Sequence, residues 1–255
     1  MTEKDYVKER EELMENWETE CRQWVSLETG VPTTATFFRD GVIDPETWFK
    51  DNKLRPLFIL KEVHDNPLKD EEKDGNNYID FTAMNEKPGH DIWNGKGMWI
   101  ALATLAKGIL SKVEDRDKKE YDTEILPYEQ LYDRLRNKDR EEYHTTLRQI
   151  AIINLKKLSG GGNESSEQSK QTKHFKCHAC KFKEKIQEQI RMIDPDVIIF
   201  CGSDIEECFD VINGKISMGE KEIPVVNGLH PSTNANCRRD TFYYETIKKV
   251  FEAIK

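Results

Sequence analysis

Residues 190–203 read IRMIDPDVIIFCGS, and the succession of helix end, strand and turn in this stretch decides the fold. Asp194-Pro195 ends a helical pattern, because proline disfavours helical backbone at the residue that precedes it. The run 197–200, VIIF, has no polar interruption, which is typical of a parallel strand buried on both faces. The stretch therefore predicts a helix followed by a strand of a parallel sheet.

Three further apolar runs extend this pattern in both directions along the chain. The runs at 57–60, 150–153 and 223–226 predict strands, and helical spacing of apolar residues predicts helices at 3–27, 92–113, 128–148, 170–193, 205–212 and 239–254. Strands that are separated by helices imply right-handed crossovers. We predict an α/β fold of three layers, α/β/α, around a central, mostly parallel four-stranded sheet.

The length of 255 residues is compatible with one hydrophobic core, so we expect one domain over 1–255. Within it, 1–56 is predicted to be a helical, turn-rich N-terminal extension. The charge-dense stretch 114–148 is predicted to be a helical insertion that faces solvent. Residues 159–169, SGGGNESSEQS, are predicted to be a flexible linker, since the glycine run lacks the GK[ST] of a phosphate-binding loop.

Composition restricts the compartment and the partners. No apolar run approaches membrane-spanning length, and the charged N-terminus has no signal-peptide core, so we expect a cytosolic monomer without a membrane partner. A reducing compartment would keep the six cysteines as thiols. The net charge of −9 argues against broad coating of DNA, but it is compatible with a small, locally basic site.

Polar or glycine-rich residues follow all four predicted strands. Ligands of open α/β sheets bind outside the carboxyl ends of the strands. We therefore expect one crevice to be formed by the segments KEVHD (61–65), NLKK (154–157), GSD (202–204) and NGLHPST (227–233).

These strand ends resemble the motifs of the uracil-DNA glycosylase superfamily. Glu62 in FILKEVHD resembles the water-handling position of the first motif, and Asn154 in IAIINL resembles the base-reading asparagine. His230-Pro231-Ser232 in GLHPST resembles the late motif after the last strand. The similarity covers residues 55 to 250 in order. The first motif lacks the Gly-Gln-Asp-Pro-Tyr or Gly-Glu-Ala-Pro pattern of well-known branches.

The resemblance implies a hydrolase that removes a damaged base, such as uracil, from DNA without a cofactor. Glu62 would stabilise the sugar cation and orient water, and a neutral His230 would donate to the oxyanion of the departing base. Asn154 would pair with the edge of the flipped base. The resemblance extends this set to a stacking or base-binding pair, Phe81 and His64, and to DNA-phosphate contacts from Ser232, Thr233, Lys156, Arg238 and Arg239.

Each candidate also has an ordinary structural interpretation. Glu62 can be a helix cap or an ion-pair partner, His230 a turn residue before proline, and Asn154 a turn former. A second hypothesis is therefore a non-catalytic module of the same fold that binds a nucleotide or a nucleic-acid end.

A metal-dependent enzyme is the third hypothesis. His64 and Asp65 lie together, and CHAC at 177–180 has the spacing of a zinc or redox site. No second pair has suitable spacing, and CHAC lies inside a helical pattern. The iron–sulfur branch of the resembled family needs four cysteines, whereas only Cys21 precedes Glu62. We predict no metal and no cluster.

Overall fold

The structure is a computed structural model, and it describes residues 1–30, 33, 35–50, 54–62, 78–80, 97–114, 125–137, 140–159, 173–233 and 238–255. The predictions for His64 and Phe81 lie outside these residues. For Glu62 and Arg238 the backbone is described but the side chain is not.

A six-stranded mixed sheet forms the centre of the described part of the chain. Its order is β2-β5-β3-β6-β8-β7, and β1 pairs with β4 in a separate two-stranded parallel sheet. The four inner strands β5, β3, β6 and β8 are parallel neighbours, whereas the edge strands β2 and β7 are antiparallel to them. The strands are β1 (Phe37–Arg39), β2 (Gly41–Val42), β3 (Pro56–Glu62), β4 (Tyr78–Asp80), β5 (Ala151–Lys156), β6 (Val197–Cys201), β7 (Lys215–Met218) and β8 (Lys221–Gly228).

The α/β class is confirmed, but the predicted count of four strands is wrong. Strands β1, β2, β4 and β7 have two to four residues each, too few to form an apolar run that stands out in the sequence. Strand β5 also continues to Lys156, three residues past the predicted end. The extension matters because it places Asn154 inside a strand instead of after one.

Helices cover both faces of the sheet. The first face packs Phe58 and Leu60 against α3, α4, α5 and α8, and the second packs Leu57 and Ile59 against α1, α6 and α7. The α-helices of the described residues are α1 (Glu3–Thr29), α2 (Pro45–Lys50), α3 (Gly97–Glu114), α4 (Tyr128–Asn137), α5 (Arg140–Arg148), α6 (Phe175–Lys181), α7 (Lys183–Ile193) and α8 (Thr246–Ala253).

Several helix predictions need correction. The helices predicted at 128–148 and 170–193 are each two shorter helices. The segment 205–212 contains only a 3-10 turn, Glu206–Cys208, and the C-terminal helix begins as a π-helix, Arg238–Glu245.

The N-terminal helix and the charge-dense insertion both contribute to the core, although the insertion was predicted to face solvent. Helix α1 begins with a capping box of Thr2 and Asp5 and buries Trp17 against the second face. Helices α4 and α5 carry narrow apolar stripes that include Leu135 and Tyr143, and both side chains are buried in the first face. The density of charges hid these stripes, because a helix needs only one apolar residue in three or four to cover a core.

Among the described residues, no helix combines the length and the apolar character that crossing a bilayer requires.

Candidate functional site

The strand order creates a switch point between β3 and β6. From β3 the chain passes through α3, α4 and α5 to β5 on one side, and then through α6 and α7 to β6 on the other side. Right-handed crossovers in opposite directions place these helices on opposite faces of the sheet. The carboxyl ends of β3 and β6 therefore lie beside an open crevice, which is where such sheets bind ligands.

A lysine and a tight turn occupy this switch point. Lys61 is the penultimate residue of β3. Its Nζ donates to Ser203 Oγ at 3.3 Å and lies 3.7 Å from Asp204 Oδ2. Gly202 has a φ of +142°, and a Cβ there would come within 3.3 Å of Lys61 Cε. A side chain at Gly202 would thus be strained by the backbone and crowded by Lys61.

An open cleft of about 300 Å³ adjoins the switch point, between the turn after β6 and the end of β8. Asn227 Nδ2 donates to Glu206 Oε2 at 2.6 Å, and both residues line the cleft together with Lys249 of α8. Asp204 and Glu206 make part of the wall acidic.

His230 lies two residues beyond β8, and its side chain begins beside the same switch point. Its Cβ is 4.0 Å from the position that a Cβ on Gly202 would take. The backbone N–H of Ser232 donates to His230 Nδ1 at 3.1 Å. A ring nitrogen that accepts a hydrogen bond carries no proton, so this contact favours the neutral imidazole with its hydrogen on Nε2. The side chain is half-buried, and Nε2–H is the donor of the ring.

Asn154 lies in β5, level with Leu60 of β3, and is 1% exposed. Its backbone N–H and its side-chain Nδ2 both donate to Asp40 Oδ2, at 2.7 Å and 3.1 Å. Its Oδ1 is buried and has no hydrogen-bond partner among the described residues. The amide is therefore held through its nitrogen, whereas no described residue donates a hydrogen bond to its oxygen.

Glu62 is the last residue of β3 and lies level with Lys156 of β5. The resemblance thus draws on residues in or directly after β3, β5 and β8, all toward the carboxyl edge of the sheet. His230 follows a strand that is two places away from β3, with β6 between them.

Those residues predicted to contact phosphate whose side chains are described do not form one basic surface. Ser232 is exposed and Thr233 is half-buried, but Lys156 is fully buried and does not present its ammonium group to a ligand in solvent as expected. Arg239 is exposed and is engaged by Asp240, with Nε donating to Oδ1 at 2.9 Å. Arg238 begins the π-helix.

The cysteines of the CHAC segment lie in α6, and Cys177 and Cys180 are exposed. Cys21 of α1 is buried, with its Sγ 3.7 Å from His178 Nδ1, and burial raises the pKa of this thiol to about 12. Within the described ranges, no three His, Cys, Asp or Glu side chains are grouped so as to hold a metal ion.

Asp40, which the sequence motifs did not single out, is a fully buried carboxylate with several hydrogen-bond donors among the described residues. Lys157 Nζ donates to Asp40 Oδ1, and Gln189 Nε2 donates to the same oxygen at 3.0 Å. A partial signal existed in the sequence, since the doublet Lys156-Lys157 comes shortly after the apolar run 150–153. The structure buries both side chains fully. A buried lysine needs an anionic partner.

Comparison with known proteins does not assign the chain: no family model, no curated protein and no solved structure matches it.

Proposed function

We propose that the chain hydrolyses the N-glycosidic bond between a damaged base, uracil first among the candidates, and the sugar of DNA. The observation that carries the proposal is the imidazole of His230, which accepts a backbone N–H at Nδ1 and so has Nε2–H as its donor. Excision leaves negative charge on the departing base. A neutral donor beside the strand ends suits that charge, because fixed donors stabilise an oxyanion without reorganising.

Glu62 complements this donor in the proposed reaction. Loss of the base leaves positive charge on the sugar, and a carboxylate can stabilise that charge and orient the attacking water. Glu62 ends β3 beside the switch point, one residue after Lys61. We assign the water-handling role to Glu62 and the leaving-group role to His230.

Asn154 supplies base recognition in this proposal. Its Oδ1 is buried without a partner among the described residues, and such an acceptor is costly unless a ligand or water donates to it. A base that has been flipped out of the stack brings an N–H donor to such a position.

The architecture supports the finer fold proposal. Four adjacent parallel strands with helices on both faces are what the resemblance to uracil-DNA glycosylases implies for a core. We propose that the domain is a divergent member of that fold, extended at both edges by β2 and β7. We further propose that it acts on DNA as a cytoplasmic monomer, without a cofactor.

A non-catalytic nucleotide or nucleic-acid binding module is the second candidate function. It is favoured by the first motif, which lacks the Gly-Gln-Asp-Pro-Tyr or Gly-Glu-Ala-Pro pattern of the catalytic branches. The acidic wall that Asp204 and Glu206 form in the cleft and the burial of Lys156 weaken attraction for phosphate and so count against both candidates. A protein that only binds its ligand does not stabilise a charge that develops during a reaction. Its affinity would therefore not require the Nε2–H donor of His230.

The test is incubation of the purified protein with oligonucleotides that contain one uracil, single-stranded and double-stranded, followed by alkaline cleavage of abasic sites. We expect cleavage at the uracil position. Glu62→Gln and His230→Ala, purified in the same way, are the matched controls, because a contaminating glycosylase would survive both substitutions. Binding without any abasic product would favour the second candidate.

A further inference from the structure

Asp40 lies between β1 and β2 and accepts several buried hydrogen bonds. It is fully buried, and each of its carboxylate oxygens has a separate set of donors. Oδ2 accepts from the backbone N and the side-chain Nδ2 of Asn154, and Oδ1 accepts from Lys157 Nζ and Gln189 Nε2. The carboxylate thus connects the proposed base-reading residue to the second face of the sheet.

The chemistry of Asp40 determines how the Asn154 amide is turned. An ionised carboxylate only accepts hydrogen bonds, so it can face the NH₂ of an amide but not its oxygen. Nδ2 of Asn154 lies 3.1 Å from Asp40 Oδ2, which directs Oδ1 away from Asp40. The oxygen, and not the nitrogen, is therefore the group of the amide that lacks a partner among the described residues.

Lys157 is the buried counter-charge of Asp40. Its fully buried ammonium group donates to Asp40 Oδ1 and, at 3.0 Å, to Gln189 Oε1, and it lies 4.8 Å from the centre of the Trp17 ring. Burial lowers the pKa of Lys157, and the negative charge of Asp40 opposes that shift. Asp40 is the only anion among the described contacts of the Lys157 ammonium group. Burying this group without Asp40 would cost free energy.

The backbone of Asp40 is fixed as well. Its carbonyl oxygen accepts from Arg10 Nε of α1 at 3.2 Å and from Gln189 Nε2 of α7 at 3.0 Å. Gly41 follows with a φ of +138°, and a Cβ there would come within 2.5 Å of the Tyr6 hydroxyl. Two helices therefore hold the turn that presents the carboxylate to β5.

We propose that Asp40 is a positioning residue that sets the hydrogen-bond polarity of the proposed base-reading residue: it holds Asn154 so that Oδ1 accepts an N–H from the ligand. The proposal rests on the proposed function and adds to it. Uracil has an N–H at ring position 3, whereas cytosine has an acceptor there. Asp40 would thus determine selectivity for uracil without touching the base.

The test compares three variants with the wild-type protein. Asp40→Ala combined with Lys157→Met removes the acceptor and its counter-charge together, so that no unpaired charge remains buried. Asp40→Asn combined with Lys157→Gln retains a carbonyl acceptor beside Asn154 and should rescue the effect. Gln189→Leu is the matched control, because it removes a donor to Asp40 Oδ1 but none of the contacts between Asp40 and Asn154.

The first readout is hydrogen exchange of the Asn154 side-chain amide by nuclear magnetic resonance, assigned through the loss of its signals in Asn154→Ala. We expect exchange at least tenfold slower than that of an exposed asparagine such as Asn213. Exchange should accelerate about tenfold in the Asp40→Ala/Lys157→Met pair and remain slow in the other two variants. Fast exchange in the wild-type protein would overturn the proposal even if no variant folds.

The second readout is the ratio of dissociation constants for single-stranded oligonucleotides that contain 2′-fluoro-2′-deoxyuridine or the matching cytidine, which resist cleavage because fluorine destabilises the sugar cation. We expect a preference for uracil of about tenfold or more, reduced to about twofold in the Asp40→Ala/Lys157→Met pair only. An unchanged preference in that pair would overturn the proposal. If the wild-type protein has no preference but the exchange result holds, uracil as the selected base is refuted while the positioning of Asn154 by Asp40 is supported.

Discussion

The buried ion pair of Asp40 and Lys157 gives a direct prediction for stability. Asp40→Ala leaves the ammonium group of Lys157 fully buried, with Gln189 Oε1 and the Trp17 ring as its remaining described contacts. Removing one partner of a buried pair costs about 3–5 kcal/mol, because the other charge loses its compensation but not its burial. The backbone N–H of Asn154 loses its acceptor as well. We therefore expect a loss of about 4 kcal/mol in the free energy of unfolding.

The measurement is urea-induced unfolding at pH 7, followed by circular dichroism and extrapolated linearly to water. A loss of this size is a large fraction of the roughly 5–15 kcal/mol that stabilises a typical domain. Glu222→Ala is the control, since it breaks the exposed pair of Lys215 and Glu222 and should cost about 1 kcal/mol or less. Adding Lys157→Met to Asp40→Ala should recover part of the loss. If Asp40→Ala lowers the free energy of unfolding no more than the control does, the claim that Lys157 depends on Asp40 as a buried counter-charge is refuted.

Two further predictions concern the turn after β6 and the thiols. Gly202→Ala should destabilise the protein by about 1–3 kcal/mol, because φ is positive at this position and the new Cβ would crowd the Lys61 side chain. Gly214→Ala, also at positive φ but with no atom within 4 Å of the new Cβ, should cost less in the same urea titration. In peptide-mapped thiol labelling at pH 8, Cys177 and Cys180 should react within minutes. Cys21, protonated at that pH by its raised pKa of about 12 and buried, should react only after unfolding; rapid labelling of Cys21 would contradict the packing of α1.

The apolar runs predicted the inner strands because a parallel strand that is covered on both faces is apolar at every position. Such a continuous run is easy to recognise in the sequence. The run 197–200 became β6, and 57–60 became the middle of β3. The short edge strands carry no such signal. In β7 buried and exposed residues alternate over only four positions, and its pairing with β8 depends on the turn between them.

The site was partly predictable for a similar reason. Strand ends can be read from the sequence, so Glu62 and His230 could be assigned to one edge of the sheet before any contact was known. The hydrogen bond from Ser232 to His230 Nδ1, which sets the tautomer, depends on turn geometry that the sequence does not specify. The hydrogen bonds between Asp40 and Asn154 join residues that are 114 positions apart, and local sequence patterns do not predict such contacts.

Single-turnover excision of uracil from a short oligonucleotide, measured together with the dissociation constant, distinguishes base excision from binding alone. We predict that His230→Ala and Glu62→Gln each lower the rate by about 10² to 10³ while affinity is nearly unchanged, because the charges that they stabilise develop only in the transition state. Asn154→Ala should instead reduce discrimination among bases. Absence of abasic product from the wild-type protein, with all three variants weakening binding in parallel, would contradict base excision and identify the protein as a binder of nucleic acid.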